Sequence, residues 1–222
     1  LFRSGVESSE IVFTADVIDQ ATLDTVVQHQ VPVNAGSIDM LHQLGARSPG
    51  HAVWLRINPG FGHGHSNKTN TGGEHSKHGI WHTDLPAALA AIVQHGLKLV
   101  GLHMHIGSGV DYSHLQEVCG AMVALVQTVK AQGLDLHAIS AGGGLSIPYR
   151  AGEPVIDTAH YFSLWDAARQ QVQALWRQER EKDGASPEDA AAAMAFLATR
   201  TTHAMPLLLL AFAMGTGARS EE

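Results

Sequence analysis

LVGLHMHIGSG, Leu99 to Gly109, is the stretch from which the fold is read. Its first half is an apolar run of the kind buried on both faces of a parallel sheet. Alternation then puts His103 and His105 on one face and Leu102, Met104 and Ile106 on the other, so the imidazoles look inward. Gly107-Ser108-Gly109 lets the backbone turn tightly and exposes amides and one hydroxyl, a place for an anion.

Leu136 to Gly144, LHAISAGGG, repeats the theme: a short apolar strand ending in Gly142, Gly143 and Gly144. Strands that end in glycine-rich turns line the carboxyl edge of a parallel sheet, where ligands bind. Two such turns predict one phosphate.

Working outward, Ile11 to Ala15, Val31 to Gly36 and Val53 to Pro59 read as three earlier strands. In the last of these, alternation aims Trp54, Arg56 and Asn58 to one side. Helices are expected over Ile18 to His29, over Ile38 to Leu44 behind an N-capping Ser37 and stopped by Gly45, over Leu85 to His95 ended by Gly96, and over Ser113 to Gln132. This alternation is the signature of parallel βα units, and both an open doubly wound sheet and a (β/α)8 barrel fit it. A complete barrel takes roughly 250 residues. Five strands within the first 144 residues therefore predict an α/β fold in the form of a partial (β/α)8 barrel over residues 1–172. After Val172 the character changes to a charged helix-prone run, Gln173 to Asp183, and a Ser186-Pro187 helix start before an Ala-rich stretch. Residues 173–222 are expected to form a divergent helical tail.

The formal charge of −7, with 14 Lys plus Arg, argues against nucleic acid as a partner. The one cysteine, Cys119, precludes an internal disulfide and fits a reducing compartment; within EVCGAMVALV it reads as a core thiol. LFRSGVESSE lacks the apolar region of a signal peptide, and the longest apolar run, Ala204 to Met214, is broken by Pro206 and is about half what a bilayer requires. A soluble, cytoplasmic chain without membrane contact is expected. The loop from Phe61 to His82 carries His63, His65, His75, His78 and His82 among Gly, Asn and Thr. Imidazoles suit zinc, and a zinc-dependent barrel hydrolase is one reading. No pair has helical i, i+4 placement or a cysteine partner, so a mobile active-site loop without metal is the expectation.

Four blocks, VPVNAGSIDML, VWLRINPGFGHGHSNKTNTGGEHSKHGIW, LVGLHMHIGSGVDY and ISAGGGLSIPY, resemble in order the barrel domain of the bacterial diaminopimelate decarboxylases, from about Ile11 to about Gln171. That family has the alanine-racemase-like fold of the group IV decarboxylases. The resemblance implies a pyridoxal 5′-phosphate enzyme, homodimeric, that converts meso-2,6-diaminopimelate to L-lysine and carbon dioxide. It places His105 against the cofactor ring, and Ser108 with Gly142, Gly143 and Gly144 around the phosphate. Arg56 would point into the barrel beneath the cofactor. A buried arginine needs a carboxylate or phosphate partner, so Arg56 stands with His105 as a catalytic candidate, an ion pair inside the barrel being its other reading. His103, deeper on the same face, reads as a hydrogen-bonded core residue.

The chain also departs from the family. None of Lys68, Lys77, Lys98, Lys130 and Lys182 stands in a motif matching the family's cofactor-linking lysine, and neither the E-P-G-R segment nor the C-terminal β domain is found. The expectation is an incomplete copy with little or no activity of its own. The alternatives are a non-catalytic pyridoxal-phosphate-binding remnant and another decarboxylase or racemase of the same fold.

Overall fold

The computed structural model describes residues 5–182 except 16, 64–69, 109–111, 141, 145–147, 149, 154 and 156. Of the expectations above, those on His65, Lys68, Gly109 and everything beyond residue 182 lie outside the described residues.

The strands are β1 (Phe13–Thr14), β2 (Val33–Ala35), β3 (Ala52–Asn58), β4 (Ile80–Trp81), β5 (Lys98–His103) and β6 (Ala138–Ser140). The helices are α1 (Gln20–Gln28), α2 (Ile38–Arg47), α3 (Leu85–His95), α4 (Tyr112–Ala131) and α5 (Thr158–Lys182). All strand pairs are parallel, and the sheet runs β1-β2-β3-β5-β6 with β4 paired to the end of β3. The order follows the chain and never reverses. A doubly wound sheet has a point at which the order reverses, whereas a barrel adds each strand beside the last. The α/β fold is therefore a segment of barrel wall.

Register divides the chemistry between the two faces. Thr14 pairs with Asn34, Asn34 with Trp54, Trp54 with Gly101, Arg56 with His103, and His103 with Ser140. Partners in a parallel ladder point the same way, so one face carries Thr14, Asn34, Trp54, Arg56, His103 and Ser140. The other face carries Val33, Ala35, Val53, Leu55, Ile57 and Leu102, which join the helices in one apolar core. A register shift beside Val53 and Trp54 sets this parity: Val53 pairs with Leu99 but Trp54 with Gly101, leaving Val100 as the extra residue. Gly101 is required there, because a Cβ would lie 2.7 Å from the Trp54 ring and 2.3 Å from the Ala138 carbonyl oxygen.

Three local expectations need correction. Gly45 does not stop α2, which continues to Arg47. Its role is close approach: a Cβ there would lie 2.4 Å from His95 Cβ on α3. Gly45→Ala is accordingly expected to force α2 and α3 apart and to destabilise the chain by about 1–3 kcal/mol, read by urea unfolding. β5 ends at His103, three residues short of Ile106. The two-residue β4 was not anticipated, being too short for any periodicity. Gly96 does close α3 in the left-handed conformation, at φ 60°.

α5 starts behind Asp157, whose Oδ1 accepts from the Ala159 and His160 N–H groups, and runs unbroken across residues 172 and 173. Tyr161, Trp165, Ala168 and Val172 form its buried stripe against α4. Cys119 on α4 is buried, its thiol 3.6 Å from the Leu164 carbonyl oxygen, and burial pushes its pKa up to about 11. That is a core thiol. No helix among the described residues is long and apolar enough to cross a membrane.

Candidate functional site

The site forms where β5 and β6 end. Beyond His103 the chain leaves the ladder with β3 but stays tied on both flanks. On one side the Met104 N–H donates to the Ser140 carbonyl, at 3.0 Å. On the other, the arms of the Gly-His loop take over from the sheet. The His63 and Thr71 N–H groups both donate to the Ile106 carbonyl, at 3.1 and 3.2 Å, and the Thr71 hydroxyl donates to the His105 carbonyl at 2.9 Å. Asn70 forms an antiparallel bridge with Gly107.

Asn58, the last residue of β3, holds these arms. Its Oδ1 accepts from the Gly60 and Gly73 N–H groups at 3.1 and 2.9 Å, and its Nδ2 donates to the Gly73 carbonyl at 3.0 Å. The arms cross at Gly62 and Gly72 so closely that a Cβ on Gly72 would lie 2.2 Å from the Phe61 carbonyl oxygen. The described arms of this loop are therefore built into the strand ends and do not hang free of them.

The triple glycine packs directly on His105. Gly142 has φ +69°, and a Cβ there would lie 2.5 Å from the Met104 carbonyl oxygen and 2.8 Å from His105 Cβ. Gly144 is also left-handed, at φ 94°. The Gly143 N–H donates to His105 Nδ1 at 3.1 Å, so the ring accepts there and carries its proton on Nε2. One layer below, the Gly142 N–H donates to Ser140 Oγ at 3.3 Å, and Ser140 Oγ lies 2.9 Å from His103 Nδ1. Two strand ends and a glycine turn thus form one hydrogen-bonded unit.

Burial and charge hold both imidazoles neutral. His103 is 1% exposed, and its pKa is lowered to about 3 by burial first, then by the charges of Arg56 and His105. The pKa of His105 is lowered to about 4, again by burial first, then by Arg56 and His78. Arg56, buried on β3 opposite His103, is the fixed positive charge of the layer.

His105, Gly142 and Gly143 are thus in direct contact. Arg56 acts on the same ring electrostatically, and Ser108 is exposed on the continuation of the same strand end. His103 is the hydrogen-bonded interior residue expected from its depth. The described loop histidines go to different places: His63 stacks on His114 with ring centroids 3.2 Å apart, His75 is exposed, His78 acts on the His105 ring, and His82 packs on Trp81. Among the described residues no three His, Cys, Asp or Glu side chains gather as a metal-holding set. Thr71, Asn58 and Ser140 were not read from sequence as parts of the site. Alternation already puts Asn58 on the Arg56 side of its strand, whereas Ser140 joins the site through its pairing with His103 and Thr71 through a loop, neither of which a local pattern marks.

Residues 1–182 match the family described as pyridoxal-dependent decarboxylase, pyridoxal binding domain. The diaminopimelate decarboxylase of Escherichia coli strain K12 is 71% identical over 163 residues, covering 73% of this chain and 38% of the relative. That of Streptomyces coelicolor is 62% identical over 171 residues, covering 77% and 38%. A crystal structure of diaminopimelate decarboxylase superposes with a TM-score of 0.72 at 66% identity, over 78% of this chain and 41% of that one. The chain spans about two-fifths of the length of the curated relatives it matches.

Proposed function

The chain belongs to the pyridoxal-dependent decarboxylases, and on that premise we propose that it forms the cofactor-binding wall of a diaminopimelate decarboxylase, acting on meso-2,6-diaminopimelate to give L-lysine and carbon dioxide. The observation that carries the substrate assignment is the 71% identity to the Escherichia coli enzyme over 163 residues. By the same reading the longer protein is a cytoplasmic homodimer. Residues 1–172 form the barrel part, and α5 carries the chain across the boundary into residues 173–222.

The residues present fit pyridoxal phosphate. Left-handed Gly142 and Gly144 make a turn with no side chain on its inner surface, and an added Cβ at Gly142 would strike the strand that carries His105. Backbone N–H groups of such a turn suit a phosphate dianion. Gly142 to Gly144 and the exposed Ser108 hydroxyl would hold that phosphate, and the His105 imidazole would lie against the pyridine ring. When bound, the cofactor supplies the electron sink for loss of the carboxylate, while the protein supplies position and electrostatics.

Each residue's contribution follows from its surroundings. His105 is neutral, so its ring offers a flat uncharged surface without repelling a protonated pyridine. The Gly143 N–H on Nδ1 fixes which edge carries the proton. Arg56 places a permanent positive charge under the site, which favours bound anions, whether phosphate or substrate carboxylate. Arg56, His103 and His105 are themselves buried, so little water reaches them.

The test is a segment exchange. Replacing the matching 163 residues of the Escherichia coli enzyme by this chain's own is expected to keep lysine formation from meso-diaminopimelate within about tenfold of the parent. A folded, cofactor-loaded chimera that releases no lysine would overturn the assignment.

A further inference from the structure

His105 is held at two ends. Its ring is held by the Gly143 N–H, and its own carbonyl by the hydroxyl of Thr71, 2.9 Å away. The ladder with β3 ends at His103, opposite Arg56, and on the β6 flank Met104 N–H still donates to the Ser140 carbonyl. The described bonds to the His105 and Ile106 carbonyls come from the loop. Thr71 spans two successive carbonyls, giving its hydroxyl to His105 and its N–H to Ile106. Thr71 is itself fixed from both sides. Asn70 Oδ1 accepts from the Gly72 N–H at 3.0 Å and Asn70 Nδ2 donates to the Gly62 carbonyl at 3.3 Å, while Asn58 clamps Gly73 through both its N–H and its carbonyl. The chain of contacts runs from β3 through Asn58, Gly73 and Thr71 to the backbone of His105.

We propose that Thr71 is a positioning residue for the cofactor site: by holding the His105 carbonyl it sets the plane in which the imidazole meets the pyridine ring. The inference rests on the reading of His105 as a cofactor contact. A threonine needed only to close the loop would bond to loop backbone; this hydroxyl bonds to the residue whose ring angle matters. Supporting groups of this kind hold a functional side chain within the narrow range its task allows.

The test uses Thr71→Val, which keeps shape and removes the donor, with Thr71→Ser, which restores it, and Thr71→Ala, which relieves any crowding by the valine methyl. The first readout is the ring-nitrogen NMR signal of His105 in the ligand-free chain. The second is affinity for pyridoxamine 5′-phosphate, which has the ring and phosphate of the cofactor but no aldehyde to react with a lysine. Thr71→Val is expected to spread the single Nε2–H signal into a mixture of ring environments and to weaken pyridoxamine 5′-phosphate binding about fivefold to twentyfold, with recovery in Thr71→Ser. Unchanged ring signals and affinity in Thr71→Val overturn the inference. So does failure of both Thr71→Val and Thr71→Ala to fold while Thr71→Ser folds, because the hydroxyl is then a structural requirement of the chain. A parent chain that binds no pyridoxamine 5′-phosphate refutes the functional reading instead, and the ring signal still decides whether Thr71 holds His105.

Discussion

Gly142→Ala is expected to weaken pyridoxal phosphate binding by ~100-fold or more. Two costs coincide at this position. An L-residue at φ +69° pays the left-handed penalty, of the order of 1–2 kcal/mol. The new methyl also falls 2.5 Å from the Met104 carbonyl oxygen and 2.8 Å from His105 Cβ, atoms fixed to the backbone just beyond β5 that cannot swing aside. The turn must therefore lift off the segment that carries Met104 and His105. Lifting breaks the Gly143 bond to His105 Nδ1 and the Gly142 bond to Ser140 Oγ together, so ring position and phosphate cradle are lost in one step. Gly120→Ala is the matched control. Gly120 lies on the exposed side of α4 with nothing within 4 Å of a built Cβ, and the substitution should stabilise the chain by about 0.5–1 kcal/mol through helix propensity. Pyridoxamine 5′-phosphate titration and urea unfolding of the two variants check both effects.

The second large effect is a loss of stability on mild acidification. His103 and His105 have native pKa values lowered from 6.5 to about 3 and about 4. Between pH 4 and 6.5 the unfolded chain binds protons at both rings and the native chain does not. Stability from this source is full above pH 6.5 and falls as pH drops through that window. From pH 7 to pH 5 the two rings together should remove about 3–4 kcal/mol, a large part of the stability of an ordinary domain. Urea unfolding at the two pH values measures it. His103→Gln, which keeps a polar side chain beside Ser140, should cut the loss to about half. A pH-independent unfolding free energy over this range would mean that the rings are not buried as described.

The repeating βα rhythm was legible because apolar strand periodicity and helix caps are local signals. Ser37 accepts from Met40 N–H and Gly96 closes α3, as such signals predict. Gly45 misled because glycine serves both to end helices and to bring them close, and only the position of His95 on the neighbouring helix distinguishes the two. The site was legible in its strand-borne parts. Alternation put His103 and His105 on one face, and the inserted Val100 lies upstream of both, so it left their parity intact. The loop's contribution was hidden for the converse reason. The bonds of Asn58 to Gly73 and of Thr71 to His105 join residues 15 and 34 apart in sequence, through loop backbone with no periodicity. The histidines are the conspicuous residues of this loop, yet it is the polar residues beside them, Asn58, Asn70 and Thr71, that tie its described arms to the strand ends.

The most direct test of the account is phosphorus NMR of pyridoxamine 5′-phosphate titrated into the chain, with a Ser108→Ala, Gly142→Ala variant alongside. A saturable one-to-one complex with a shifted phosphorus resonance, lost in the double variant, is the predicted result. Absence of saturable binding by the parent chain, or equal binding by the double variant, would contradict the claim that the ends of β5 and β6 form the phosphate cradle.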